Sequence, residues 1–233
     1  VFELKVCKQY SDKLLTKAGS YSFINLASVS NAIKLRDDEV NYFCDGFLLS
    51  SLISLLTLEK VQRVSFDFTS IADDVFRYCE EEQLTILMIG ASEEEALKFN
   101  NKIQTRYSKL KLSVRNGYFD KLERSSLIES IANSNYDLVI LGLGAGLQDE
   151  FAKDLRLSGY NGITFTCGGF IRQESVDSQE YYPRIINMLG LRAFYRMYKE
   201  PHTIIRYLID YPVNLIQILL KKTLIKIRFK IIG

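Results

Sequence analysis

A chain of 233 residues, 47% hydrophobic and 25% charged, has the balance of one soluble globular domain with a sizeable core, or of one domain with an appendage. Its net charge of +2 hides a division: over residues 184–233 ten Lys or Arg stand against two acids, a local +8, which leaves −6 for the rest. No apolar run approaches the roughly 18 residues of a membrane-spanning helix.

Taken in chain order, "SFINLA" (Ser22 to Ala27) reads as a strand and "VSNAIKLRDDEVNYF" (Val29 to Phe43) as a helix-like stretch leading to "CDGF". "VQRVSFDF" reads as a second strand and "SIADDVFRYCEEE" as the helix after it. "LTILMIG" is a third strand, and "SEEEALKFNNKIQTRY" a helix with a Ser cap and acids in its first turn. "LKLSVRNGYF", "SSLIESIANS", "YDLVILGLG", a helix from Gln148 to Leu157 and "GITFTCGG" continue the alternation. Such alternation predicts an α/β fold, a Rossmann-like and mostly parallel sheet with helices on both faces. After about Ser175 the rhythm turns helical, so residues 1–175 read as the α/β body and 176–233 as a helical, basic appendage. Cys7, Cys44, Cys79 and Cys167 lack metal-type spacing and read as reduced, mostly buried thiols of a cytosolic protein. Nothing at the start has the pattern of a signal peptide.

Sites in doubly wound sheets lie at the carboxyl ends of the strands. "CDG", "MIGAS", "NGYF", "GLGAG" and "TCGGF" all fall there, which points to one shared cleft. The glycine loop does not name its ligand. A dinucleotide fingerprint needs an acid at the end of the following strand, where Cys167-Gly168-Gly169 stands instead. A P-loop needs Lys-Ser/Thr where Leu147-Gln148 stands. Glycines that merely turn a buried strand into a helix remain an equal reading of the pattern.

The residues themselves resemble a known family. "VILGLGAGLQDEFA" is similar to the "GLG-x-P-x-Q-E" signature of the WecG/TagA/CpsF glycosyltransferases, with Gln148 at the family's glutamine. "FINLASVSNAIKL", "YFCDGFLL", "RVSFDF", "LTILMIGAS", "NGYF", "TCGGF" and "MLGLRAFYRMYKEPHTIIRYL" resemble further family segments, in order and at compatible spacing. The resemblance implies an inverting glycosyltransferase that moves an N-acetylhexosamine, its uronic acid or another hexose. The donor is a UDP-sugar and the acceptor an undecaprenyl-diphosphate-linked glycan of cell-surface polysaccharide. It also implies a peripheral place at the cytoplasmic face of a bacterial inner membrane. No DxD motif is present, so no metal or other cofactor is expected.

Read alone, Asp45-Gly46 is a turn former; with the resemblance, Asp45 becomes the expected general base, taking the acceptor hydroxyl's proton. Gln148 and Asn25 are neutral donor–acceptors suited to sugar hydroxyls or phosphate. Gly46, Gly144 and Gly168 join them as substrate-binding positions where backbone N–H groups can approach an oxyanion. Arg196 and Arg206 match tail arginines of the family, expected to stabilise leaving UDP. The chain departs from the family's pattern at Gly146, for Pro, at Asp149, for Glu, and at Phe66, for Gly. These departures keep a rival in view, a non-catalytic relative that binds a sugar nucleotide or lipid carrier.

The end, "LIQILLKKTLIKIRFKIIG", suits a helix lying on an anionic membrane surface. Its "IKIRFKI" part alternates with period two, so a terminal strand is the alternative. Nucleic acid ranks last as a partner, the body being acidic. A homo-oligomer is left open.

Overall fold

The computed structural model describes residues 2–176, 195, 197, 198, 201, 204–224 and 227–232. The strands are β1 (Phe2–Cys7), β2 (Gly19–Ile24), β3 (Val40–Cys44), β4 (Thr85–Gly90), β5 (Lys111–Arg115), β6 (Leu138–Gly142), β7 (Ile163–Thr166) and β8 (Ile227–Ile232). They form one sheet of order β5-β4-β6-β7-β2-β3-β1-β8. Its pairs are parallel throughout. Helices α1 (Val29–Leu35), α2 (Phe47–Thr57), α3 (Ala72–Glu81), α4 (Glu93–Arg106), α5 (Lys121–Ala132), α6 (Leu147–Leu157) and α7 (Phe170–Glu174) cross between strands or follow them. Helix α8 (Tyr211–Leu224) precedes β8, after a π-helical segment, Arg206–Asp210. This is the expected Rossmann-like α/β architecture.

Parallel strands covered on both faces must be apolar on both faces. Leu138, Val139, Ile140 and Leu141 of β6 accordingly have no exposed surface. Helix α4 starts where it was expected to: Ser92 Oγ accepts the Glu95 N–H at 3.3 Å, and Glu95 Oε2 accepts the Ser92 N–H at 2.8 Å. The chain leaves β4 toward β5 and leaves β6 toward β7. The order therefore reverses between β4 and β6, and a crevice opens there at the strands' carboxyl ends.

Two expectations change, and one left open is decided. The stretch Val29 to Phe43 is not one helix. Arg36 turns left-handed at φ 46°, the Asp37 carboxylate accepts the Glu39 N–H at 3.0 Å, and the rest becomes β3, paired with β2 from Ser20↔Val40 to Ile24↔Cys44. Two burial periods overlap in that stretch, and the turn decides between them. "VQRVSFDF" makes only an isolated bridge, Cys44↔Arg63, because the Asp67 carboxylate draws the chain round by accepting the Thr69 N–H at 2.8 Å. The terminal "IRFKII" forms β8, parallel to β1 from Phe2↔Ile227 to Cys7↔Ile232, and the helix ends before it. The sheet therefore takes in residues from the last stretch as well as from the α/β body.

Candidate active site

A cavity of about 1530 Å³ opens over the carboxyl ends of the strands, and loops from both halves of the sheet line it. On one side the strands end in glycine. A side chain on Gly90 would begin 2.7 Å from the Gly142 carbonyl oxygen, and one on Gly117 would begin 2.9 Å from the Gly90 Cα. Only bare backbone fits there. Gly144 and Gly168 have open space around them and take positive φ, 86° and 55°, so their need is conformational.

Gln148 follows this loop at the start of α6 and is 4% exposed, although a residue at a helix start often faces water. Its Oε1 accepts the Gly168 N–H at 3.2 Å, which ties the loop after β6 to the loop after β7. Asp149 beside it is also buried. One carboxylate oxygen accepts the Ser22 hydroxyl at 2.5 Å and the other accepts the Gly146 N–H at 3.2 Å. Burial pushes the Asp149 carboxyl above its ordinary value, against the opposing pull of those hydrogen bonds. Gly146 stands at φ 91°, where no proline can stand, and supplies an N–H that proline lacks. The two departures from the family pattern in this loop are thus partners of each other.

On the other side the strands end in polar side chains. Asp45 continues β3 by donating its N–H to the Ile24 carbonyl at 2.7 Å. Its carboxylate lies 3.5 Å from Arg63 Nη2, with 35% of the side chain exposed toward the cavity it lines. The same guanidinium nitrogen donates to Ser65 Oγ at 2.7 Å and lies 3.5 Å from Asp67 Oδ2. Ser65 Oγ in turn donates to Asp67 Oδ2 at 2.7 Å. Burial works against the charge on Asp67, but hydrogen bonds from Thr69 and Ser65 and the Arg63 cation outweigh it and hold the carboxyl below its ordinary value. One cation thus bridges two carboxylates, both of which border the cavity. Arg63, Ser65 and Asp67 are cavity-lining positions that a strand reading of "RVSFDF" passes over. Their spacing of two, which puts alternate side chains on one side of an extended chain, was the available signal.

Gly46 brings β2 and β3 together at their ends: a Cβ there would lie 3.3 Å from that of Asn25. Asn25 also lines the cavity, with its Oδ1 engaged by the N–H groups of Ala27 at 3.0 Å and Ser28 at 3.2 Å. Its carbonyl oxygen therefore shapes the turn into α1. Helix α8 docks on this turn, since buried Asn214 donates from Nδ2 to the Ala27 carbonyl at 2.9 Å. Arg206 opens the π-helical segment; its side chain and the whole of Arg196 lie outside the described residues. The four cysteines are buried, and burial raises the Cys44 and Cys167 thiols to about 12, so neither is a thiolate nucleophile near neutral pH.

Among the described residues no helix is long and apolar enough to cross a membrane, and no group of three His, Cys, Asp or Glu is placed to hold a metal ion. The chain matches the family described as "Glycosyl transferase WecG/TagA/CpsF family" over residues 15–227. It is also 35% identical, over 174 residues, to a Shigella boydii protein named UDP-Gal:alpha-D-GlcNAc-diphosphoundecaprenol beta-1,4-galactosyltransferase. That match covers 73% of this chain and 72% of the relative.

Proposed function

The chain belongs to the glycosyl transferase WecG/TagA/CpsF family, and from that premise we propose that it transfers a hexose from a UDP-sugar to an undecaprenyl-diphosphate-linked sugar, with inversion. The observation that carries this reading is the half-exposed Asp45 carboxylate at the cavity wall, held beside Arg63 at 3.5 Å. The acceptor hydroxyl gives its proton to Asp45 as its oxygen attacks the anomeric carbon. The bond from that carbon to UDP breaks, and UDP leaves with the bonding pair. Arg63 keeps the base oriented. UDP-hexoses carry their sugar in alpha linkage, so the beta linkage in the relative's name fits inversion.

The glycine-ended strands take the donor, with Gln148 and the Gly144 and Gly168 loops around its sugar or phosphates. Asn25 and Gly46 border the acceptor. Arg196 and Arg206 stabilise the leaving UDP without a metal, as guanidinium groups bind phosphates bidentately. Residues 1–175 make up the catalytic body, whose sheet β8 completes, and the stretch between 176 and β8 closes over the substrates and meets the anionic cytoplasmic face of the bacterial inner membrane. The relative's donor makes UDP-galactose the first candidate sugar.

The test is UDP release from a panel of UDP-sugars, with and without a lipid-diphosphate-linked N-acetylglucosamine acceptor and with and without EDTA. Acceptor-dependent release from one donor, unchanged by the chelator, is expected. Release that ignores the acceptor, or silence with every donor, overturns the transferase reading. Loss with EDTA that magnesium or manganese restores overturns the metal-free mechanism alone.

A further inference from the structure

The lip of the cavity differs in chemistry from its floor. Deeper in the cavity the polar groups Asn25, Asp45, Arg63 and Gln148 stand among buried Phe23, Phe66 and Phe170. Two and three residues beyond Asp45, the first turn of α2 presents Phe47 and Leu48 at 74% and 56% exposure. From the C-terminal stretch, Leu208 and Val213 add 70% and 45%. All four line the cavity. The first turn of a helix ordinarily favours acids or polar caps, and α2 has no acid there and no side-chain cap. Single exposed apolar residues need no explanation, but a group of them at the mouth of a cavity with polar groups deeper in marks a ligand with an apolar part.

We propose that Phe47, Leu48, Leu208 and Val213 form a subsite for the first isoprene units of the acceptor, so that the lipid chain leaves the cavity between α2 and the C-terminal segment. This rests on the lipid-diphosphate acceptor of the proposed function. A soluble glycan has no apolar part to place at such a lip, and the uracil of a sugar nucleotide is a single planar ring that stacks on one aromatic face and leaves Leu48, Leu208 and Val213 uncovered. An amphiphile with sugar and diphosphate inward and hydrocarbon outward matches both floor and lip. With the acceptor hydroxyl at Asp45, the hydrocarbon begins one sugar ring and two phosphates away. The step from Asp45 to Phe47 spans at most about 7 Å of chain, and the Phe47 ring extends that reach. Exposed Lys34 lines the same cavity and supplies positive charge for the diphosphate.

The sequence contains no tryptophan, so Phe47→Trp places a single fluorescent reporter on the lip. Its emission should shift to the blue with phosphatidylcholine vesicles that carry a polyprenyl diphosphate. The same vesicles without it, and inorganic diphosphate, should leave it unmoved. No shift with the loaded vesicles overturns the subsite, and an equal shift with plain vesicles makes the lip a general bilayer contact instead. As a second measurement, the Phe47→Ser/Leu48→Ser double variant should lose about tenfold or more of the preference in kcat/KM for a polyprenyl acceptor over a short-alkyl one. An equal loss on both acceptors overturns the proposal. If the reporter shifts with loaded vesicles while the protein turns over neither acceptor, the subsite stands and the transferase reading falls.

Discussion

The two halves of the sheet end their strands in opposite ways. In the half built on β4, β6 and β7, the strands end at or run into Gly90, Gly142 and Gly168, and Gln148 Oε1 accepts the Gly168 N–H. In the half built on β2 and β3, the ends carry Asn25 and Asp45, with Arg63 against the carboxylate. One half offers chiefly backbone at its strand ends, which binds anions and hydroxyls without titrating; the other offers at its strand ends a carboxylate that can hold or release a proton. A group-transfer enzyme needs both, and here a shared cavity joins them. Damage to the first half should appear in binding and stability, and damage to the second in turnover.

The largest expected effect is therefore on the titrating side. Asp45→Asn keeps the shape of the group and removes its basicity, so turnover should fall by about 10² or more while UDP-sugar affinity stays close to that of the parent. Steady-state UDP release and calorimetric titration with the donor separate the two. A variant that loses donor affinity at unchanged turnover would move Asp45 to the binding half.

Gly146→Pro should come next, although it restores the residue of the family pattern. Proline cannot adopt φ 91° and has no N–H for Asp149, so about 2 kcal/mol or more of stability should go, read by chemical denaturation. Unchanged stability would mean that the loop accepts the proline conformation without its Asp149 contact. Gly90→Ala should cost about 1–3 kcal/mol by overpacking, since its Cβ would begin 2.7 Å from the Gly142 carbonyl oxygen. A fully stable alanine variant would show that the two strand ends can part.

The glycine-ended half is the more legible in sequence. β4 and β6 are nearly unbroken apolar runs, as strands buried on both faces tend to be, and α4 announces itself through Ser92 and Glu95. The other half is less so. β1 alternates charged with apolar residues, and its partner β8 is more than 200 residues away, a pairing that local pattern does not encode. The family match begins at residue 15, beyond β1 altogether. α2, "FLLSSLISLLT", goes unread because its apolar residues continue on the side that faces the cavity mouth. In the site, resemblance finds Asp45 and Gln148, whereas Arg63 and Asp67 emerge only when the chain is seen to bend at Asp67. Asp149 is legible as a departure from the pattern, and its meaning depends on Ser22, brought beside it from β2.

The finest division between the halves is the sign of a pH dependence. Asp67, on the titrating side, has its carboxyl held below the ordinary value, because hydrogen bonds and Arg63 outweigh the penalty of burial. The folded protein then binds fewer protons there than the unfolded chain. The resulting stability is present above the ordinary carboxylate value of 3.8 and is lost as pH falls through the folded one. Asp149, on the glycine side, is pushed up by burial, so the folded protein keeps that proton longer. Its contribution is present below 3.8 and is lost as pH rises through the folded value. Denaturation midpoints from pH 3 upward, taken as variant minus parent, isolate each group. Asp67→Asn should remove a rising limb at the acid end. Asp149→Asn should remove a falling limb that begins above 3.8. A Asp149→Asn difference that is flat with pH would mean that the carboxyl stays charged in the folded protein. The Ser22 and Gly146 hydrogen bonds would then outweigh its burial, and the two halves would share one electrostatic rule.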